Sequence, residues 1–156
     1  MTSFEIDNSS ILSYPIFVNS IQSFLSISPV ITNITFFDNV GYSNSSFVTL
    51  NFTPYRFLKR IEIGNQCFEY VREFVIDGLE SLESVKIGVL CFGIDWEERD
   101  DGICRITNCP NLRQSEIGHD SFYYFKSFEL FYVNSLQSIK FGERCFRHAD
   151  FSLKGE

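Results

Sequence analysis

The sequence carries an internal repeat, and a repeat constrains the possible fold of a chain more than any other feature. Each copy starts with Leu, has an apolar residue at its fourth position in three copies of four, and places Gly seventh and Phe eleventh. The starting leucines lie 24, 30 and 24 residues apart, which defines a 24-residue unit with one six-residue insertion. The four copies occupy residues 58–68, 82–92, 112–122 and 136–146.

Alternation of apolar and polar residues assigns the unit to β-structure. Each unit contains two short alternating segments, and a period of two residues is typical of strands. A unit of 24 residues is too short for two helices with their loops, and it cannot bury its apolar side chains alone. We therefore predict a β-rich repeat solenoid with two short, parallel-stacked strands per 24-residue coil. The second segments of the four units are 74–76, 104–106, 128–130 and 151–153.

The polar positions between the apolar ones provide an independent check of this register. In stacked coils, residues at one repeat position form a column with neighbours about 4.8 Å apart. Charges of opposite sign follow one another down two such columns until the neutral Gln137, which disfavours slippage of the strands. The columns are Glu62, Lys86, Glu116, Lys140 and Lys59, Glu83, Arg113, Gln137.

Two further repeat positions predict specific roles. The glycine after the first strand is expected to adopt a positive φ in a sharp turn. The phenylalanine four residues later is expected to stack with its equivalents in a buried aromatic spine. These positions are Gly64, Gly88, Gly118, Gly142 and Phe68, Phe92, Phe122, Phe146.

The domain organisation follows from where the repeat is clear. We predict degenerate N-terminal coils or a cap over residues 1–57, and a leucine-rich-repeat-like solenoid over 58–156 with the insertion within 93–102. Upstream, 31–36 and 48–50 fit the two strand positions, and residues 19–24 echo 134–139. These segments predict one or two degenerate coils before the four clear ones. For the C-terminus we expect either a half-coil ending or a fragment of a longer array.

The Ile-Gly-x-x-Cys-Phe elements at 63–68 and 87–92 resemble the Ile-Gly-x-x-Ala-Phe element of bacterial-surface-antigen-type leucine-rich repeats. The Leu-x-x-Ile-x-Ile segment at 58–63 also resembles the strand of that class. The resemblance covers 58–156 well and 21–57 loosely. This sequence departs from the family in its 24-residue unit, in Gly where Pro often follows the strand, in Cys or Ser for Ala, and in lacking a regular Asn ladder. The resemblance implies binding of proteins and sometimes of surfaces, and it brings no catalytic residues.

Composition excludes several classes of partner. The chain has 13 Lys and Arg against 20 Asp and Glu, a net charge of −7, which disfavours binding to nucleic acid. Its apolar runs are too short to span a bilayer, and residues 1–10 lack the features of a secretion signal. We expect a protein partner, no nucleic acid and no membrane span. The unpaired strand edges of the last coil also predict self-association through it.

The five cysteines are predicted to be buried thiols without metal or cofactor. All fall on inward-facing columns, where Cys behaves as a small apolar residue. Their spacing matches no closed zinc pattern, and thiols favour the cytoplasm, although the compartment is otherwise open. His119 and His148 lie at predicted turns with no Ser or Cys partner at the same strand level, so we predict no catalytic site. The cysteines are Cys67, Cys91, Cys104, Cys109 and Cys145.

Candidate partner-binding residues come from the irregularities of the repeat. The insertion contains the sole tryptophan, Trp96, next to Glu97 and Glu98, and Trp is enriched at interface hot spots. The alternative is a solvated loop whose tryptophan folds back over the coil edge. A second candidate is the set of aromatics Tyr123, Phe131 and Tyr132 in the third clear coil. These either form an exposed interaction patch or cover the shoulder of the solenoid.

Three functions remain open at this point. The leading hypothesis is a non-enzymatic protein–protein interaction module. The alternative is a structural or adhesive repeat segment of a longer protein. A carbohydrate-active β-helix enzyme is the third, and the sign alternation of the columns disfavours it, because such a site needs acids clustered on one strand face.

Overall fold

The computed structural model describes residues 15–93 and 101–155. Within these ranges the chain forms eleven strands of three to five residues and one short helix. In order, the elements are β1 (Ile16–Val18), α1 (Ile21–Leu25), β2 (Asn33–Phe36), β3 (Thr49–Asn51), β4 (Arg60–Ile63), β5 (Glu73–Asp77), β6 (Ser84–Ile87), β7 (Ile103–Thr107), β8 (Gln114–Ile117), β9 (Ser127–Phe131), β10 (Ser138–Phe141) and β11 (Asp150–Lys154).

The strands form two sheets in which every pair is parallel. The first sheet has the order β1-β2-β4-β6-β8-β10, and the second has the order β3-β5-β7-β9-β11. β1 and β2 are both in the first sheet, with α1 between them; from β2 onward the chain alternates between the sheets, so each later coil gives one strand to each. Alternate strand residues point inward, and the hydrophobic core lies between the sheets. This is a β-solenoid, and the predicted fold class is confirmed.

The register of the first sheet follows the predicted columns. In the first column each residue is the strand partner of the next, and in the second column each N–H donates to the preceding carbonyl at 2.8–2.9 Å. Inward positions of the second sheet align in the same way. The aligned sets are Glu62, Lys86, Glu116, Lys140; Lys59, Glu83, Arg113, Gln137; and Phe74, Cys104, Phe128, Phe151.

The aromatic spine is present and buried. The Phe92 and Phe122 rings are stacked with centroids 4.3 Å apart, and the Phe122 and Phe146 rings with centroids 4.7 Å apart. Phe68 stacks on Phe92 at 5.6 Å, which extends the spine to a fourth ring. All four rings are almost fully buried, so the spine joins successive coils through the centre of the core.

The prediction of a positive φ at the repeat glycines is wrong. The left-handed conformation instead falls both two and four residues later: φ is 56–61° at Gln66, Leu90, Asp120 and Arg144, and 50–58° at Phe68, Phe92, Phe122 and Phe146. Glycine is needed for close approach between coils. A Cβ added to Gly118 would lie 2.6 Å from the carbonyl carbon of Gly88, and one added to Gly88 would lie 2.6 Å from the Gly64 oxygen. The glycines therefore let backbones of consecutive coils touch.

The column that precedes the phenylalanines is a ladder of side-chain hydrogen bonds. The Cys91 thiol donates to the Gly64 carbonyl at 3.0 Å, and the Ser121 hydroxyl donates to the Gly88 carbonyl at 2.8 Å. Cys145 repeats the contact with the Gly118 carbonyl at 2.9 Å. This bond explains why Cys and Ser replace Ala here, since alanine has no donor. Four cysteines are buried as predicted, and Cys145, on the last coil, is half-buried.

The N-terminal region adds coils and one unpredicted helix. Ile34 in β2 aligns with Ile61, and Leu50 in β3 aligns with Phe74, as the two upstream strand segments predicted. Residues 19–24, which echo a strand-containing segment, instead begin α1. Ser20 and Ser23 form a reciprocal capping box, which satisfies backbone donors at the start of the helix. Local capping therefore overrides the sequence echo.

Ser115 stands at the fourth position of its repeat copy, where the other three copies have an apolar residue. The residue is 3% exposed and its Oγ has no hydrogen-bond partner. Its column is otherwise apolar, with Val85 and Ile139 on either side. The hydroxyl is therefore desolvated without compensation, which is unfavourable.

We expect Ser115→Ala to raise the free energy of unfolding by about 1–2 kcal/mol, because it removes a buried, unpaired polar group. Ser121→Ala is the matched control, since Ser121 is also buried but its Oγ both donates to Gly88 and accepts from the Cys91 N–H at 3.1 Å. That substitution is expected to lower stability by about 1–3 kcal/mol. Urea denaturation measures both, and equal effects of the same sign contradict the assignment.

Candidate functional site

Three predicted site residues, Trp96, Glu97 and Glu98, lie outside the described residues. The structure does place the ends of their insertion. The N–H of Phe92 donates to the Cys67 carbonyl, and β7 resumes the register when Cys104 pairs with Phe74. These contacts bracket the insertion between Phe92 and Ile103 in the sequence, the interval that holds the predicted range 93–102.

Tyr123 belongs to a surface group that we call the aromatic cluster: Tyr123, Tyr124, Arg147 and His148. The Tyr123 and Tyr124 rings meet edge to face at 4.7 Å, and the His148 ring is parallel to that of Tyr124 at 6.0 Å. Arg147 donates from Nη1 to the Tyr123 hydroxyl at 3.0 Å, and its guanidinium carbon lies 5.8 Å from the ring centre. The tyrosines are half-buried, whereas the arginine and histidine are exposed.

Coil stacking explains how these four side chains meet. Tyr123 and Tyr124 follow Phe122, just as Arg147 and His148 follow Phe146 in the next coil. The two phenylalanines are stacked in the buried spine, and both adopt a left-handed φ that turns the chain outward. The cluster therefore rests directly on two stacked rings of the buried spine.

The aromatic cluster and Gly93, the first residue of the predicted insertion range, lie on the same edge of the solenoid. Phe92 stacks directly on Phe122, so Gly93 occupies in its coil the position that Tyr123 occupies in the next. The insertion thus starts one coil away from the cluster. The sequence pattern pointed to Tyr123 but not to Arg147, whose signal is its position directly after the repeat phenylalanine.

Phe131 and Tyr132 lie at the other end of β9, so the structure does not bring them together with Tyr123. About 13 Å of extended strand separates the two ends of β9. Phe131 is half-buried and pairs with Thr107 and Lys154, and Tyr132 is 36% exposed. The predicted aromatic patch is therefore two separate surfaces.

A polar network lies beside Phe131. Asp77 Oδ1 accepts hydrogen bonds from Thr107 Oγ1 at 2.7 Å and from Asn108 Nδ2 at 2.8 Å. The hydrogen bond from Thr107, followed by that from Asn108, lowers the pKa of Asp77 below its usual value. The carboxylate is satisfied within the protein, so this network is a support for the turn.

The outer face of the first sheet forms a shallow polar hollow of about 450 Å³. The column of Glu62, Lys86, Glu116 and Lys140 crosses it, with Arg113 among the other lining residues. Adjacent charges in this column have opposite signs. The hollow therefore offers no field of a single sign that would attract a charged ligand.

A stacked pair near the N-terminus was missed by the sequence analysis. The rings of Phe17 and Phe37 lie 5.7 Å apart and are 58% and 52% exposed. Phe17 occupies the outward column of Thr35 and Glu62, and Phe37 directly follows β2. The sequence pattern does not mark Phe17 as outward-facing. Its orientation becomes evident only from the pairing of β1 with β2 in the first sheet.

Burial makes the thiols of Cys104 and Cys109 poor nucleophiles and poor metal ligands. It raises the pKa of Cys109 to about 11 and that of Cys104 well above its usual value, so both thiols stay protonated at neutral pH. At the surface, Asp120 lies between Arg144, at 2.7 Å, and His119, at 3.0 Å, and hydrogen bonds from these two lower its pKa. No group of three potential ligands among His, Cys, Asp and Glu comes together within 15–93 and 101–155.

The helical structure in the described ranges, five residues of α1, is too short to cross a membrane.

Comparison with known proteins does not assign the chain to a family. No protein-family model matches the chain, and neither a curated protein nor a solved structure matches it. Two parallel sheets with regularly spaced strands identify the chain as a β-solenoid-like repeat protein.

Proposed function

We propose that the protein is a non-enzymatic protein–protein interaction module that binds its partner through the aromatic cluster and the adjacent insertion. The observation that carries this proposal is the cluster itself, in which two tyrosines, an arginine and a histidine are held on two stacked coils. Tyr and Arg are among the residues enriched at interface hot spots, and rigid support lowers the entropic cost of binding.

The insertion extends this surface in the proposal. Trp96 would supply a further aromatic anchor, and Glu97 and Glu98 would favour a partner that carries positive charge. Phe131 and Tyr132 are proposed as a secondary contact, because they lie at the far end of β9. A partner that reaches them must span the width of the second sheet.

We further propose that the coils belong to the leucine-rich-repeat class and are similar to the bacterial-surface-antigen type. Support comes from the Leu-x-x-Ile-x-Ile strand at β4 and from the phenylalanine spine. Leucine-rich repeats of this type bind proteins, which agrees with the proposed function. The Cys and Ser ladder remains a departure from the family pattern, and it has its own hydrogen-bonding explanation.

The test is affinity capture from a lysate of the source organism, followed by binding measurements with the purified partner. We expect Tyr123→Ala to weaken binding about tenfold or more, as is typical of truncating an aromatic hot spot. Tyr42→Ala is the matched control, because Tyr42 is an exposed tyrosine nearer the N-terminal end and should bind like the wild type. Circular dichroism checks that each variant is folded.

Two further variants divide the surface. If the insertion and the aromatic cluster form one site, Trp96→Ala and Tyr123→Ala should each weaken binding of the partner. Tyr132→Ala reports whether the partner reaches the far end of β9. The proposed site is overturned if Tyr123→Ala, Arg147→Ala and Trp96→Ala all leave the affinity for the partner unchanged.

A further inference from the structure

The last described coil exposes side chains at positions that are buried elsewhere. Phe141, Phe151 and Leu153 are 41%, 51% and 70% exposed. Their equivalents one coil earlier, Ile117, Phe128 and Leu130, are 1%, 1% and 8% exposed. Within the described residues, β10 and β11 each pair on one side only. We call this surface the end face: Phe141, Phe151 and Leu153 with the free edges of β10 and β11.

The end face is continuous across the coil. The ring of Phe141 lies 6.2 Å from that of Phe151, and both contact Phe146, at 5.8 Å and 5.9 Å. Side chains from both sheets thus meet above the last ring of the spine. Only an apolar surface that also pairs with strand edges buries these groups without leaving backbone donors and acceptors unsatisfied.

The sequence of β11 is complementary to itself in the antiparallel direction. It reads Asp150-Phe-Ser-Leu-Lys154, with an acid at one end, a base at the other and Ser152 at the centre. Two such strands paired antiparallel about Ser152 place each aspartate opposite a lysine and each phenylalanine opposite a leucine. Asp150 and Lys154 are both exposed, so both are accessible to a second chain.

We propose that the end face docks onto the end face of a second copy, with β11 antiparallel to the same strand of that copy. Asp150 would then face Lys154 of the partner subunit, and the reverse pair would form by symmetry. A two-fold axis that reverses strand direction also keeps each sheet in line with its counterpart, so β10 lies against β10 of the other copy. Such an isologous contact is the usual geometry of homodimers.

Head-to-tail stacking is a poorer fit. Its partner surface would be the opposite end of the solenoid, where α1 packs over the core. The Phe24 ring lies 5.3 Å from Phe36 and 6.0 Å from Phe52, and is buried. At that end Leu50 and Val18, which stand in the columns of Phe151 and Phe141, are fully buried, so among the described residues these columns leave no apolar side chain exposed to receive the end face.

A charge-swap series in sedimentation equilibrium tests the proposal, using the 156-residue chain at about 1–200 µM. The wild type is expected to dimerise. Asp150→Lys and Lys154→Asp each place two like-charged pairs in the contact, so each should weaken dimerisation about tenfold or more at low salt. The double variant restores opposite charges and should return to within about threefold of the wild type.

A second readout locates the axis. Ser152→Cys should form a disulfide-linked dimer under mild oxidation, because the two residues face each other across the two-fold axis. The wild type, treated in the same way, is the control for the native thiols. A monomer throughout the concentration range overturns the proposal, and so does a dimer that neither single swap weakens or that the double swap fails to restore. These variants leave the aromatic cluster unchanged, so they test self-association independently of the proposed function.

Discussion

Replacing Phe122 by alanine is expected to lower the free energy of unfolding by about 3–5 kcal/mol, the range for truncating a large buried aromatic side chain. Its ring is fully buried and stacks on Phe92 at 4.3 Å and on Phe146 at 4.7 Å. Phe125 also contacts it edge to face at 4.8 Å. Removing the ring interrupts the spine in the middle and leaves a cavity that rigid neighbouring coils cannot fill.

Phe37→Ala provides the matched control for this prediction. Phe37 is the same residue type but is 52% exposed, so its truncation should cost less than about 1 kcal/mol. Urea denaturation followed by circular dichroism measures both variants. The spine is not the centre of stability if the two substitutions cost the same, or if Phe122→Ala costs less than about 1.5 kcal/mol.

Gly118→Ala is expected to lower the free energy of unfolding by about 2–4 kcal/mol, because the added methyl group overpacks the contact between coils. The new Cβ would lie 2.6 Å from both the carbonyl carbon and oxygen of Gly88, and 2.8 Å from the backbone nitrogen of Val89. All three atoms belong to the backbone of the neighbouring coil. Relief therefore requires the two coils to move apart, which also strains their hydrogen bonds.

Gly93→Ala separates this packing effect from a general effect of losing glycine. Among the described residues, a Cβ there would meet only Glu69 Cγ, at an ordinary contact distance of 3.9 Å. Its φ is outside the left-handed range, so alanine should change stability by less than about 1 kcal/mol. Thermal and urea unfolding check both variants, and a destabilised Gly93→Ala of equal size would mean that coil contact is not the reason for glycine.

Coil register was predictable because its signals are regular in sequence. Leu, Gly and Phe recur at fixed spacing, and the sign alternation from Glu62 to Lys140 supports the same alignment. Burial of the cysteines follows from the same columns. Because a repeat shows each signal in several copies, a chance match in one copy does not change the alignment of the coils.

The incorrect predictions concern features that depend on local helix capping or on three-dimensional packing between coils. The capping box of Ser20 and Ser23 forms a helix in a segment that resembles a strand-bearing repeat. The role of Gly118 depends on the distance between coils, which no single repeat encodes. The unpaired Ser115 hydroxyl likewise depends on which acceptors its neighbours have already used.

The candidate site was only partly predictable for a related reason. Column arithmetic places Tyr124 beside His148, but the hydrogen bond from Arg147 to Tyr123 depends on rotamers. Phe131 and Tyr132 are close to Tyr123 in sequence, yet an extended strand carries them to the opposite end of the sheet. Residues a few positions apart along a strand are separated in space by the extended backbone, whereas residues 24 positions apart lie side by side in adjacent coils.

Every site described above depends on the coil register, and paired cysteines test that register most directly. Glu62 and Lys86 are strand partners on the outer face of the first sheet, whereas Ser84, two residues along, pairs with Arg60. Partners in adjacent strands lie about 4.8 Å apart, within disulfide range, and the offset pair lies about 8 Å apart, beyond it. Glu62→Cys combined with Lys86→Cys should therefore form the 62–86 link on mild oxidation, identified by mass spectrometry. A link in the Glu62→Cys and Ser84→Cys pair, with none between 62 and 86, contradicts the solenoid register.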